Sequence, residues 1–142
     1  MAKISIIQGP NLNLLGTREP HIYGHTTLDE IHENLRKLFG TKHQLEFFQS
    51  NHEGDLIDAI HGAIACDGLV INPGAYAHTS YAIRDALSSI AKPAMEVHLT
   101  NLSKRESFRH TSVTAPACIG HIAGLGAYGY ELAMLALLNY LG

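Results

Sequence analysis

The 142-residue sequence predicts an α/β fold built on a five-stranded parallel sheet. Three observations carry that prediction. Short β-branched or apolar runs alternate with segments whose apolar residues recur at helical spacing. The helical segments open on capping residues, and Gly, Pro and Asn punctuate the junctions. Strands that alternate with helices belong to a sheet covered on both faces, which is the setting of parallel pairing.

The elements follow in order. Residues 4–8 read as a buried strand, Ile4-Ser5-Ile6-Ile7-Gln8. A loop of about fifteen residues comes next, from Gly9 to Gly24, against the 2–6 or so usual between a strand and a helix, and loops of that length are functional more often than incidental. Leu12, Leu14, Leu15 and Ile22 are expected to anchor it. Thr27-Leu28-Asp29-Glu30 is a capping box, and Leu28, Ile31, Leu35 and Leu38 then mark an inner helix face that Gly40 ends. Residues 45–49 form the second strand. Ser50-Asn51-His52-Glu53 offers a second capping box, ahead of Leu56, Ile57, Ile60 and Ile64. Residues 69–71 are the third strand, ending at Asn72-Pro73-Gly74. The third helix starts around Thr79-Ser80 and turns Ile83, Ala86, Leu87 and Ile90 inward. Pro93 resets the chain for a fourth strand over 94–99. Residues 100–116 are polar and predict a loop with a short helical turn near 105–109. Residues 118–123 give the fifth strand and 130–141 the last helix. This order suits a flavodoxin-like three-layer αβα sandwich, one catalytic domain over residues 1–142. In such sheets ligands sit outside the carboxyl ends of the strands, at a topological switch point.

Bulk properties narrow the function. Ten Lys and Arg against thirteen Asp and Glu give a net charge of -3, which argues against nucleic-acid binding. An anionic ligand would have to be held by a few placed arginines. Cys66 and Cys118 make no CxxC or zinc pattern, so a reduced, cytoplasmic protein is expected. The first strand begins without a charged leader or signal-peptide core. The apolar C-terminal stretch is broken by Gly124, Gly126, Gly129 and Glu131, and its last run is too short to span a bilayer. Among the ten histidines no HxH or HExxH spacing occurs, so no metal is expected. Gly124-Leu125-Gly126-Ala127-Tyr128-Gly129 matches GxGxxG between a strand and a helix, but the acidic strand residue about twenty positions on is missing. The glycines are therefore assigned to close helix–sheet packing. A phospho-receiver site is excluded because Gln8-Gly9 ends the first strand where an acidic cluster would be needed.

The strand ends carry Asn11, Asn72, His78, His98, Thr100 and Asn101, all able to reach one rim. Glu96 and His98, two apart on a strand, leave on the same face. A carboxylate beside a histidine fixes its tautomer and raises its basicity, as acid–base chemistry requires. In the long loop Tyr23 accompanies Arg18. A free phenol titrates near 10, so a tyrosine base at neutral pH needs about 3 units, or roughly 4 kcal/mol, of help from such a cation. Convergence of these pairs on one sheet edge points to a catalytic site.

Three stretches then resemble the type II 3-dehydroquinate dehydratases. They are Gly9-Pro10-Asn11 through Arg18-Glu19-Pro20 to Tyr23-Gly24; Asn72-Pro73-Gly74-Ala75-Tyr76-Ala77-His78-Thr79-Ser80 through Arg84-Asp85; and Glu96-Val97-His98-Leu99-Thr100-Asn101 through Arg105 to Phe108-Arg109-His110. With the glycine-rich segment from Ile122 the similarity spans essentially the whole chain. Thr100 stands where many relatives have Ser. The resemblance implies dehydration of 3-dehydroquinate to 3-dehydroshikimate in the shikimate pathway, by anti elimination through an enolate, without metal or cofactor. Tyr23 would be the tyrosinate base, with Arg18 lowering its pKa and Arg105 closing over the substrate. His98, oriented by Glu96, would protonate the leaving hydroxyl, and Asn11 would stabilise the enolate through a water. Asn72, His78, Leu99, Thr100 and Arg109 would bind the substrate's hydroxyls and carboxylate. The resemblance further implies a dodecamer, a tetramer of trimers, in which Asp85 reaches a neighbour's substrate. The apolar last helix also reads as largely buried. None of Lys3, Lys37, Lys42, Lys92 and Lys104 has the apolar pocket at the strand ends that a Schiff-base lysine needs. The competing reading is a non-catalytic flavodoxin-like module for a small anion or nucleotide, in which both residue pairs would be coincidental.

Overall fold

The computed structural model describes all residues, Met1–Gly142. Five strands, β1 (Lys3–Gln8), β2 (Gln44–Gln49), β3 (Gly68–Asn72), β4 (Ala94–His98) and β5 (Gly120–Ala123), form one sheet in the order β2-β1-β3-β4-β5. Every pairing is parallel. The helices are α1 (Pro20–Tyr23), α2 (Leu28–Phe39), α3 (Glu53–Gly62), α4 (Tyr81–Ile90) and α5 (Tyr128–Leu141). Alternation along the strands divides the core in two. Ile4, Ile6, Val70, Met95 and Val97 pack with α2 and α5, while Ile7, Leu69, Ile71 and Ala94 pack with α3 and α4. The three-layer αβα sandwich is as expected.

Several local readings hold. The Thr27 hydroxyl accepts the Glu30 N–H and so caps α2, and Glu30 reaches back to that hydroxyl rather than to the Thr27 N–H. Ser80 caps α4 by accepting the Ile83 N–H, and Ile83, Ala86, Leu87 and Ile90 face inward.

Others are corrected. The second capping box does not form. The Ser50 hydroxyl accepts the His52 N–H and donates to Asp55, while Glu53 accepts from Ser80, so α3 begins at Glu53 without a side-chain cap. Beyond Gly62 the chain tightens into a 3-10 turn, Ala63–Ala65. The steeper rotation per residue there turns Ala63 inward and leaves Ile64 60% exposed. On α2 the buried stripe runs Leu28, Ile31, His32 and Leu35, and Leu38 is exposed. His32 lies against Phe47, and burial, with Arg36 beside it, pushes its pKa down to about 4. The long loop is pinned by Leu12 and Leu15 only, with Leu14 and Ile22 on the surface, and its last turn is the helix α1. β5 starts at Gly120 because a turn around Pro116, Ala115–Ala117, occupies the preceding residues.

The glycine-rich segment has a different task from the one its pattern suggested. A Cβ on Gly129 would meet Ile122 and Val97 at ordinary contact distance, so packing does not require a glycine there. Gly124 and Gly126 instead adopt φ of 93° and 61°, a region other residues avoid. Their N–H groups donate to the His98 and Leu99 carbonyls at 3.3 and 2.9 Å, which fixes the end of β4.

The direction in which successive strands are added to the sheet reverses between β1 and β3. β1 feeds a crossover toward β2 on one side, and β3 a crossover toward β4 on the other. At this switch point Gly9 donates to the Asn72 carbonyl at 2.7 Å. A Cβ on Gly9 would lie 2.5 Å from the Pro73 carbonyl carbon and oxygen. Gly9→Ala is therefore expected to destabilise the protein by about 1–3 kcal/mol as backbone is forced apart. At fixed protein concentration the urea midpoint should fall with its slope unchanged, and an unmoved midpoint would contradict the close approach.

Candidate active site

Three loops leave the carboxyl edge of the sheet, after β1, β3 and β4, and enclose a narrow cleft of about 60 Å³. From the first loop come Asn11, Arg18 and Tyr23, from the second Asn72 and His78, and from β4 with its loop His98, Leu99, Thr100, Arg105 and Arg109. Ten of the twelve singled-out residues thus line one cleft. Glu96 lies beneath it, and Asp85 is an exposed residue of α4 outside it.

On one side two cations lie over the half-buried Tyr23 ring. The guanidinium carbons of Arg18 and Arg105 are 4.6 and 5.1 Å from its centroid. Arg18 comes from the phenol's own loop and Arg105 from the loop after β4, so the two loops meet over the ring. The Thr100 hydroxyl accepts from Arg105 at 3.2 Å. Asn11 holds φ of 69° and anchors its N–H on the Asn51 side chain at 3.0 Å. Asparagine tolerates that conformation better than most residues. No lysine lines the cleft.

On the other side the Glu96 carboxylate is fully buried and accepts from His98 Nε2 at 2.9 Å. It also accepts from the hydroxyls of Ser112, at 2.7 Å, and Thr114. Burial alone would raise the carboxyl's pKa, but the His98 ring with the two hydroxyls outweighs it and holds Glu96 below its usual range. An ionised carboxylate only accepts, so His98 Nε2 carries the hydrogen and Nδ1 is left for proton transfer. His78 stacks near His98, centroids 6.2 Å apart, and its Nδ1 donates to the Thr111 carbonyl at 2.9 Å. Burial above all, aided by His98 and Arg109 and opposed by that carbonyl, lowers the His78 pKa. The neutral ring offers Nε2 as an acceptor. Arg109 spends its Nε on Glu106, leaving its terminal nitrogens for an anion.

Sequence reasoning missed the groups that hold these side chains. Beneath Asn72, Tyr130 of α5 is fully buried, and burial raises its phenol pKa so that it stays protonated. Its hydroxyl donates to Gln8 Oε1 at 2.7 Å and accepts from Asn72 Nδ2 at 3.0 Å. Asn72 Oδ1 accepts the Gly74 N–H, and Gln8 Nε2 donates to His32, so a buried chain of hydrogen bonds ties the end of β3 to α2 and α5. A polar residue at the end of each of two adjacent buried strands was the available signal, but it named no partner. Ser112 and Thr114 gave no signal, since they sit in a run already rich in hydroxyls. The Leu99 carbonyl is already occupied by Gly126, which limits what that residue's backbone can offer a ligand.

The family model described as Dehydroquinase class II matches residues 2–138. A 3-dehydroquinate dehydratase of Halalkalibacterium halodurans is 59% identical over 141 residues, covering 98% of this chain and 97% of the relative. One of Bacillus subtilis is 56% identical over 144 residues, covering 100% and 97%. The crystal structure of a type II dehydroquinase from Butyrivibrio crossotus superposes with a TM-score of 0.94 at 48% identity, over 96% of this chain and 97% of that one. By sequence and by fold, the chain belongs to the class II dehydroquinase family.

Proposed function

We infer that this chain is a hydro-lyase that dehydrates 3-dehydroquinate to 3-dehydroshikimate, a step of the shikimate pathway, with the cleft's two poles as base and acid. The observation that carries the mechanism is that one small cleft holds both Tyr23, with two guanidinium groups over its ring, and His98 of the Glu96–His98 pair. Tyr23, as phenolate, takes a proton from the carbon next to the substrate ketone. Arg18 and Arg105 supply the positive charge that a phenolate base requires. Electrons move onto the ketone oxygen, and Asn11 stabilises the enolate through a water. The enolate then collapses, the neighbouring carbon–oxygen bond breaks, and His98 gives its proton to the departing hydroxyl, which leaves as water. Arg109 holds the substrate carboxylate with its free terminal nitrogens. His78, Asn72, Thr100 and the Leu99 backbone hold the ring hydroxyls. No metal or cofactor enters these steps. We place the enzyme in the cytoplasm, as one catalytic domain per chain.

Tyr23→Phe removes only the hydroxyl, so it should leave substrate affinity within a small factor and lower kcat by the roughly 10²–10⁴ that a general base supplies. Steady-state enone absorbance with 3-dehydroquinate measures both quantities. A variant that kept more than about a tenth of wild-type kcat would remove Tyr23 from the base role.

Assembly as a dodecamer, a tetramer of trimers, is the reading that gives Asp85 a role. Its side chain is exposed and outside its own chain's cleft. Tyr128, Leu135 and Tyr140 of α5 are exposed apolar groups that assembly could cover. Tyr23→Phe and Asp85→Ala subunits, denatured together and refolded in equal amounts, should recover roughly a quarter of wild-type sites, each with an intact Tyr23 and a neighbour's Asp85. Activity no higher than the mean of the separate variants, in oligomers shown by mass to be mixed, would return Asp85 to its own subunit.

A further inference from the structure

We propose that Ser112 and Thr114 are positioning residues for the proton-donating histidine, acting through the buried Glu96 carboxylate that lies between them and His98. This rests on the reading of His98 as the acid, and extends it to two hydroxyls in the loop ahead of β5.

Counting donors and acceptors carries the argument. Ser112 Oγ accepts the Ala115 N–H at 3.0 Å, which fixes the hydroxyl at the start of the turn Ala115–Ala117. Its single proton then points to Glu96 Oε2, 2.7 Å away. Thr114 is fully buried, and its hydroxyl gives its proton to Glu96 Oε1. The two hydroxyls are 3.2 Å apart. A hydroxyl has one proton, so neither can serve Glu96 and another acceptor at once. The carboxylate therefore has a donor on each oxygen before His98 is counted. A protonated Glu96 would have to turn a hydrogen toward a group that already donates. The pair of hydroxyls thus selects the ionised form of Glu96 and its rotamer. The ionised form in turn selects the Nε2–H tautomer of His98 and favours the imidazolium that must form before the hydroxyl leaves.

Other groups bear on this carboxylate. His121 of β5 is in register with Glu96, and the half-buried Cys118 and the neighbouring His78 lie within its electrostatic reach. Burial pushes the Cys118 thiol up to about 12, so it brings no second anion, and His78 is held neutral on balance. His121 is exposed. The only partners bonded to Glu96 are therefore His98, Ser112 and Thr114.

The test compares Ser112→Ala, Thr114→Val and Thr114→Ser with wild type, and uses His98→Asn as the control on the underlying reading. Without a hydroxyl, burial is less well opposed and the Glu96 pKa rises, so His98 loses part of its negatively charged partner. Ser112→Ala and Thr114→Val should each lower kcat by roughly 10- to 100-fold, part of the 10²–10⁴ that acid–base catalysis contributes, with KM within about twofold. The alkaline limb of the kcat–pH profile should move to lower pH, because His98 gives up its proton more readily. Thr114→Ser keeps the donor and should restore both kcat and the limb. Unchanged kcat and pH profiles in Ser112→Ala and Thr114→Val, with His98→Asn severely impaired, would overturn the proposal and leave the acid assignment intact. Near-wild-type His98→Asn would overturn the assignment itself. Equal losses in Thr114→Ser and Thr114→Val with an unmoved limb would reduce Thr114 to a packing residue and also overturn the proposal. If Thr114→Val does not fold, Ser112→Ala decides by the same kcat, KM and pH criteria.

Discussion

A single buried charge governs the catalytic edge of this protein. Glu96 has no exposed surface, yet it is held as an anion in β4, two residues before the strand's carboxyl end. Such a charge is tolerated only when its lone pairs are met, and here three donors from two segments far apart in sequence meet them. That requirement draws the loop ahead of β5 against β4 and fixes the ring of His98. It also sets which ring nitrogen faces the cleft. The glycine-rich turn supports the arrangement from the other end, by donating to the carbonyls of His98 and Leu99.

The opposite face of the sheet solves a related problem without charge. Tyr130, Gln8, Asn72 and His32 form a buried hydrogen-bonded chain in which each polar group finds a partner. No buried side-chain nitrogen or oxygen in the structure lacks one. The two networks flank the cleft, one under Asn72 and one under His98. Tyr130 and Tyr23 show how differently one residue type is surrounded in the same fold. The first is sealed in apolar surroundings and kept as a donor, while the second is half-buried with two guanidinium groups over its ring.

Much of this was legible in the sequence because it follows from short-range rules. Strand and helix alternation gave the layers. Capping at Thr27 and Ser80 gave two helix starts, and strand periodicity placed Glu96 and His98 on one face. The errors share a cause, which is that local patterns do not know their tertiary partners. Ser50 matched a capping box but found Asp55 and His52 instead. Ile64 fell at helical spacing, but the helix tightened before reaching it. The glycines of the GxGxxG pattern were assigned to packing, but the first two work by backbone conformation at the site. Ser112, Thr114 and Tyr130 could not be read at all, since their importance lies in contacts over 16, 18 and 122 residues of sequence.

The central claim is that an ionised Glu96 holds His98 in one tautomer and presents the other nitrogen to the substrate. Nitrogen-15 NMR of the substrate-free enzyme, labelled in histidine and followed through the titration of His98, tests it most directly. The account predicts that neutral His98 carries its hydrogen on Nε2, that Nδ1 is the nitrogen that gains and loses the proton, and that Glu96→Gln abolishes this preference. A neutral His98 protonated on Nδ1 would contradict it.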